Sequence, residues 1–305
     1  MLNFRNYPSK ISWSDRKVVI FMWHPGDAIG FISCSNGLTN NDRSLEIVSS
    51  LSRKLKNDFG LETVMSDVLF LDKETQQTEA PASRAGALLS LYSDASVKAI
   101  FDLSGGDLAN EILPYLDFEI IKKNPKPYFG YSDNTVIVNA IQAKTGIQNI
   151  LYNPKVLVSQ EEVFQTQALS DLFNQNDADW TNTFEIGGYR VSKQSSPIFV
   201  GGNLRCFLKL AGTPYWPELE NKVLVLESAG GRYEAMCSGL AQLEQLGAFG
   251  KINGMLIGQF TQMALDGKTA AFLAVCRNYA ARYGFPVWET DFIGHDDRSK
   301  PMRIG

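Results

Sequence analysis

Short apolar runs alternate along this chain with amphipathic segments, and many of the runs stop at a glycine or a small polar residue. Residues 28–34 form such a run, followed by a Gly-Leu-Thr-Asn-Asn loop and a segment with Leu45, Val48, Leu51 and Leu55 at helical spacing, closed by Gly60. Residues 64–65 and 68–71 read as short strands, 82–92 as a helix rich in alanine and leucine, 97–103 as a buried strand and 108–115 as a helix. The second half repeats the rhythm. Residues 198–200 lead through a Gly201-Gly202 turn into a helix at Leu204, and 222–227 is a strand ending on a carboxylate. A helix over 233–246, a strand over 255–258, a helix over 269–279 and a strand over 286–288 follow. Strands and helices in strict alternation predict an α/β fold with a parallel sheet, and they put the strand-to-helix loops at its carboxyl edge, where ligands bind.

The pattern loosens after Gly146, and residues 160–196 are rich in Gln, Asn, Asp, Ser and Thr with Trp180 among them. This divides the chain into an N-terminal domain over 1–160, a polar linker over 161–196 and a C-terminal domain over 197–305. A chain of 305 residues can bury about three-quarters of its unfolded surface. Apolar residues make up 44% and charged residues 20%, and no apolar stretch approaches the roughly 20 residues of a membrane span. No signal-peptide pattern opens the chain, so cytoplasm is the expected location. Cys34, Cys206, Cys237 and Cys276 lack C-x-x-C spacing and read as core thiols. A net charge of −4 without a long basic run argues against a nucleic-acid polymer as partner; Lys122, Lys123 and Lys126 read as solvated surface.

The densest signal lies at residues 127–135, where an apolar run breaks at Ser132 and an amphipathic segment follows. A serine at a sharp strand-to-helix turn projects its hydroxyl above a sheet, with the free N–H groups of the following turn behind it. The same Ser-Asp-Asn-Thr is equally a helix cap. Gly130 stands where G-x-S-x-G requires its first glycine, but Asn134 replaces the second. A serine hydroxyl needs a base, and the chain holds just two histidines, His24 and His295. Glu227 ends an apolar strand, as an orienting acid would, or as a helix N-terminal acid would. Ser104-Gly105-Gly106-Asp107 is a strand-to-helix loop whose glycines let backbone approach a ligand, or simply make a tight turn; it matches neither nucleotide fingerprint. His295-Asp296-Asp297 is too local to cage a cation, and no metal site is assigned.

Ser104-Gly105-Gly106, Leu113 to Asp117, Asn124-Pro125-Lys126, Gly130 to Thr135, Gly201 to Leu204, Leu224 to Glu227 and Gly294-His295, taken in order over nearly the whole chain, resemble the LD-carboxypeptidase family of serine peptidases. The resemblance implies a Rossmann-like N-terminal domain, a smaller C-terminal α/β domain and an active site at their interface. It implies Ser132 as nucleophile, His295 as general base and Glu227 as its orienting acid, with the N–H groups of Gly106 and Asp133 as oxyanion hole. Gly105, Asp107, Asn203 and Trp180 would contact substrate. It further implies a homodimer that needs no cofactor. Two substrate branches follow: murein tetrapeptides, cut at an L-to-D bond, and aminoacyl or peptidyl nucleotides. Trp180 in its polar loop favours the second, since an indole can stack on a base. The chain departs from the family pattern at Ser104, Asp107 and the Ser228 to Gly231 run, and it stops after the Pro301 to Gly305 run past which relatives continue, so that the last strands of the smaller domain are missing or supplied differently. Those pocket changes leave open a second reading, a binding protein that keeps the cleft without turnover. A nucleotide-dependent oxidoreductase would rest on the α/β pattern alone, without a dinucleotide fingerprint.

Overall fold

The structure is a computed structural model that describes residues 23–173 and 197–305; Trp180 lies outside the described residues. Two sheets organise it. The first contains β1 (Ala28–Ile32), β2 (Glu62–Met65), β3 (Val97–Asp102), β4 (Tyr128–Gly130) and β5 (Asn149–Leu151), all parallel, in the order β5-β4-β3-β1-β2. The second is the parallel set β6 (Phe199–Asn203), β7 (Val223–Ser228), β8 (Gly254–Phe260) and β9 (Val287–Glu289), in that order. The run that closes the chain forms β10 (Met302–Ile304), which returns to pair antiparallel with β5 at the edge of the first sheet.

The helices explain themselves locally. In α1 (Asp42–Phe59) the Asn41 side chain accepts from Ser44 N, and Gly60 at φ 69° closes the last turn, a conformation glycine adopts without a Cβ clash. Val48, Leu51 and Leu55 are buried beneath it, whereas Leu45 faces solvent. Further along come α2 (Pro81–Ser93), α3 (Phe118–Lys123), α4 (Thr135–Thr145) and α5 (Glu162–Phe173), the last of which makes the start of the expected polar linker helical. The second lobe adds α6 (Leu204–Leu208), α7 (Tyr233–Gln245), α8 (Thr261–Leu265) and α9 (Thr269–Tyr283). Among the described residues no helix is long and apolar enough to cross a membrane.

One face of the first sheet buries Phe31, Phe101, Phe129 and Tyr152 against Leu51 and Leu169. The other face is part of a continuous apolar cluster that passes through Ile137 and Ile141 of α4 into Leu204, Leu224 and Met255 of the second lobe. Asn139 clips the lobes together: its carboxamide donates to Gly201 O at 2.8 Å and accepts from Gly201 N at 3.0 Å.

Four local expectations are corrected. Residues 68–71 are not a strand; Phe70 makes a single bridge to Leu38. Residues 109–115 wind as a 3-10 helix with Pro114 inside, where proline removes a donor that an α-helix would use. Gly201 and Gly202 lie within β6, paired with Val225 and Leu226, rather than in a turn, and they must be glycine there: a Cβ on Gly201 would overlap Val225 O and one on Gly202 would meet Thr135 Oγ1 at 2.8 Å. Lys126 is buried, not solvated: its ammonium donates to Leu91 O at 3.0 Å and Asp94 O at 2.7 Å, and burial pulls its pKa down to about 8. The thiols of Cys34, Cys206 and Cys276 are buried and unpaired.

Candidate active site

Ser132 follows β4 by two residues and carries φ 55°, a left-handed conformation that a non-glycine residue adopts at a cost of roughly 1–3 kcal/mol. A 3-10 turn over Ser132–Asn134 then leads into α4. The serine side chain caps neither element, so the capping alternative has no hydrogen bond to support it. Gly130 is needed because a Cβ there would stand 2.6 Å from the Tyr128 ring and 2.8 Å from Asn134 Cβ. Asn134, in the place of the second glycine, turns its carboxamide inward to Asp102 Oδ1 at 2.9 Å and Ser104 O at 3.1 Å.

Glu227 sits in β7 and is wholly buried, which sets aside its reading as a helix N-terminal acid. Its Oε2 lies 2.8 Å from His295 Nδ1. The approach is close but off-line: neither carboxylate oxygen has a well-aligned hydrogen bond among the described residues. Beside this pair the Tyr131 ring packs against the imidazole with centroids 4.8 Å apart, which brings His295 to the neighbour of Ser132 in the chain. Burial, followed by the facing Glu227 carboxylate, pushes the Tyr131 phenol well above its ordinary pKa. The loop bearing His295 is tied down by Gln259, which donates from its backbone N to Ile293 O at 2.7 Å, and by Gln165 of α5, whose Nε2 donates to Asp297 O at 2.6 Å and Ser299 O at 3.0 Å. A cavity of about 360 Å³ opens beside His295, walled by Asp296, Glu289 and Asp291 over a floor that includes Phe272 and Leu273.

The loop after β3 closes the third side. Gly106 has φ 132°, and a Cβ there would overlap the Asn36 side chain. Asn36 Oδ1 accepts from Asp107 N at 2.9 Å, and Asn36 N donates to Gly105 O at 3.2 Å. The Asp133 carboxylate is buried and accepts from Ser35 Oγ at 2.7 Å, Ala109 N at 2.8 Å and Lys209 Nζ at 2.6 Å. Lys209 also donates to Asp107 O at 2.7 Å, and Arg205 pairs with the Asp107 carboxylate. Asn203 is nearly buried at the N-cap of α6, its Oδ1 accepting from Cys206 N at 3.3 Å and its own N donating to Thr135 Oγ1 at 3.0 Å.

Pairwise contacts link these positions: Lys209 joins Asp133 to Asp107, Asn203 N reaches Thr135 Oγ1 just past the Ser132 turn, and His295 meets Glu227 and the Tyr131 ring. Sequence reasoning missed Asp102, Ser35, Asn36, Lys209 and Gln165, whose partners lie far away in the chain. Asp102 alone carried a signal, as an acid ending an apolar strand just before a glycine loop.

Comparison with known proteins accords with this architecture. Residues 29–152 match the LD-carboxypeptidase N-terminal domain and residues 197–305 the LD-carboxypeptidase C-terminal domain. The chain is 29% identical over 248 residues to the putative carboxypeptidase YocD of Bacillus subtilis, covering 73% of this chain and 75% of the relative. Its fold is similar to that of MccF in complex with glutamyl sulfamoyl guanosine, with TM-score 0.74 at 18% identity over 93% of this chain and 92% of the other. It is also similar to muramoyltetrapeptide carboxypeptidase from Oxalobacter formigenes, with TM-score 0.70 at 20% identity over 91% and 92% of the two chains. With both halves matched in order, and each half built on its own parallel sheet, this chain belongs to the LD-carboxypeptidase family.

Proposed function

We propose that this protein is a serine peptidase that hydrolyses an amide near the end of a small peptide conjugate, with Ser132 as nucleophile, His295 as base and Glu227 as its orienting acid. The observation that supports it most is the buried Glu227 carboxylate 2.8 Å from His295 Nδ1, with the imidazole packed on the residue preceding the strained Ser132 turn. A carboxylate at Nδ1 favours the tautomer whose Nε2 accepts a proton. Ser132 Oγ then attacks the amide carbon while its proton moves to Nε2, and the carbonyl oxygen gains negative charge. The N–H groups of Gly106 and Asp133 are the donors assigned to that charge, in a water-poor crevice where such bonds are strong. Collapse expels the amine, protonated by the imidazolium, and leaves an acyl-serine that water releases by the same base. The mechanism requires Ser132 Oγ and the imidazole Nε2 to come within hydrogen-bond reach in the substrate complex.

Two substrate classes are carried forward, murein tetrapeptides and aminoacyl or peptidyl nucleotides, because one structural neighbour is a muramoyltetrapeptide carboxypeptidase and another binds glutamyl sulfamoyl guanosine. Incubation with a murein tetrapeptide and with an aminoacyl phosphoramidate nucleotide, read by mass spectrometry, separates them. The expected result is cleavage of one of the two, lost in Ser132→Ala. Equal turnover by Ser132→Ala would overturn the assignment. The Asp107–Arg205 pair, which neutralises the acid beside the glycine loop, favours a second reading, a binding protein without turnover. It predicts tight binding by calorimetry with no product over hours, and a burst of acyl-enzyme would exclude it.

A further inference from the structure

We propose that Asp102 is a positioning residue that sets the glycine loop and the Ser132 turn in one geometry; the inference rests on the reading of Ser132 as nucleophile. Asp102 is the last residue of β3, is 2% exposed, and its hydrogen-bond partners Cys34, Ser104, Tyr128 and Asn134 include none of the three residues assigned to the chemistry. Its carboxylate nevertheless collects five hydrogen bonds. Oδ1 accepts from Ser104 N at 2.8 Å, Ser104 Oγ at 2.6 Å and Asn134 Nδ2 at 2.9 Å; Oδ2 accepts from Cys34 N at 2.7 Å and Tyr128 OH at 2.7 Å. The donors come from four places: the segment after β1, the glycine loop, the start of β4, and the turn immediately behind Ser132.

Five hydrogen bonds more than fill the roughly four lone-pair sites of a carboxylate; burial pushes the Asp102 pKa up, and the donors from Ser104, Tyr128 and Cys34 work against that shift. The Tyr128 hydroxyl has one hydrogen for two acceptors, Asp102 Oδ2 and, at 3.1 Å, Asn134 Oδ1; the direction at Ser104 is set by its neighbour. Ser35 N donates to Ser104 Oγ at 3.0 Å, so the Ser104 hydroxyl hydrogen is directed to Asp102. Asn134 spans the gap between the two functional segments, since Nδ2 reaches both Asp102 and Ser104 O, while Ser104 is the residue before Gly105-Gly106. Arg84, fully buried, fixes the neighbouring strand end by donating to Cys34 O at 2.6 Å and Ser35 O at 3.2 Å. A displacement of Asp102 is therefore transmitted to the oxyanion donor at Gly106 and to the Ser132 backbone together. This also gives a physical reason for Asn134 in place of a glycine: the fold uses its side chain.

Asp102→Asn tests the proposal because it keeps size and shape but turns an amide donor against donors. Measured well below the melting temperature and per active site, kcat should fall about 10- to 100-fold with KM within threefold, and fluorophosphonate labelling of Ser132 should slow by a similar factor. Unchanged kcat and labelling with a lowered Tm would overturn it, leaving Asp102 a structural residue only. If Asp102→Asn does not fold, Asn134→Ala removes one link without stranding the carboxylate, and kcat should drop about tenfold; unchanged kcat again overturns the proposal. Amide hydrogen exchange keeps this test separate from the catalytic reading. Exchange at residues 104–107 and 131–135 should accelerate together in Asp102→Asn, and unchanged protection there sinks the inference even where Ser132 is catalytic. If wild-type enzyme neither labels nor turns over while exchange responds as expected, the fault lies with the nucleophile assignment.

Discussion

The two sides of the candidate site are built differently. On the first-sheet side, Asp102 and Asp133 are buried carboxylates saturated with donors, and Gly106 is pressed onto Asn36. On the second-sheet side, Glu227 is equally buried, yet among the described residues its oxygens lack aligned hydrogen bonds, as does the Tyr131 hydroxyl that faces it from the first-sheet side. A buried carboxylate without aligned donors is costly. On the proposed assignment the contrast is a division of labour: donors for a developing oxyanion would gain from being fixed in advance, whereas a base would have to exchange a proton and so retain freedom.

Five measurements break or sharpen this comparison. Ser132→Ala should lower kcat by about 10⁴-fold or more, the scale seen when a nucleophile is deleted. A smaller loss, about 10³- to 10⁴-fold in kcat with KM little changed, is expected for Glu227→Gln, which offers the imidazole the wrong partner. If Glu227→Gln turned over normally, the loose side would have no catalytic part. Gly106→Ala places a methyl group into Asn36 on the rigid side, and about a 10²- to 10³-fold fall in kcat is expected, as for loss of one oxyanion donor. Recovery of full activity on adding Asn36→Ala would mean that the left-handed φ of 132° is not required.

The fourth measurement concerns stability against pH away from the candidate site. Lys126 has its folded pKa lowered by desolvation to about 8, against about 10.4 in an unfolded chain. Between those values the unfolded state holds more protons, so stability rises with pH across that window, and below about 8 the full cost of the buried ammonium is present. The melting temperature of wild type relative to Lys126→Met should therefore improve from pH 8 to pH 10; a flat difference would show that Lys126 stays charged. The smallest effect is expected from Arg205→Ala, which breaks a half-exposed pair with Asp107 and should change stability by no more than about 0.5 kcal/mol.

Much of this was legible beforehand. Short continuous apolar runs placed β1, β3 and β7, which are buried along nearly their whole length, and helical spacing of apolar residues placed α1. Ser132, Glu227 and His295 could be picked out because each follows or ends an apolar run at a sheet edge, and because histidine is scarce. The glycine pair at 201–202 was misplaced, since its need arises from the β7 backbone and from Thr135, neither of which is nearby in the chain. Lys126 was misjudged for a related reason: its partners are the carbonyls of Leu91 and Asp94.

The sequence by itself therefore determined the α/β class, the alternation that builds two parallel sheets and the residue types at their carboxyl edges, all of which depend on local pattern. Only the tertiary structure decided that β10 returns to the first sheet, that Asp102 binds four separate segments, and that Glu227 meets His295 at 2.8 Å. Those facts depend on pairing between residues far apart in the chain, where geometry in three dimensions, and not spacing along one, sets which donor finds which acceptor.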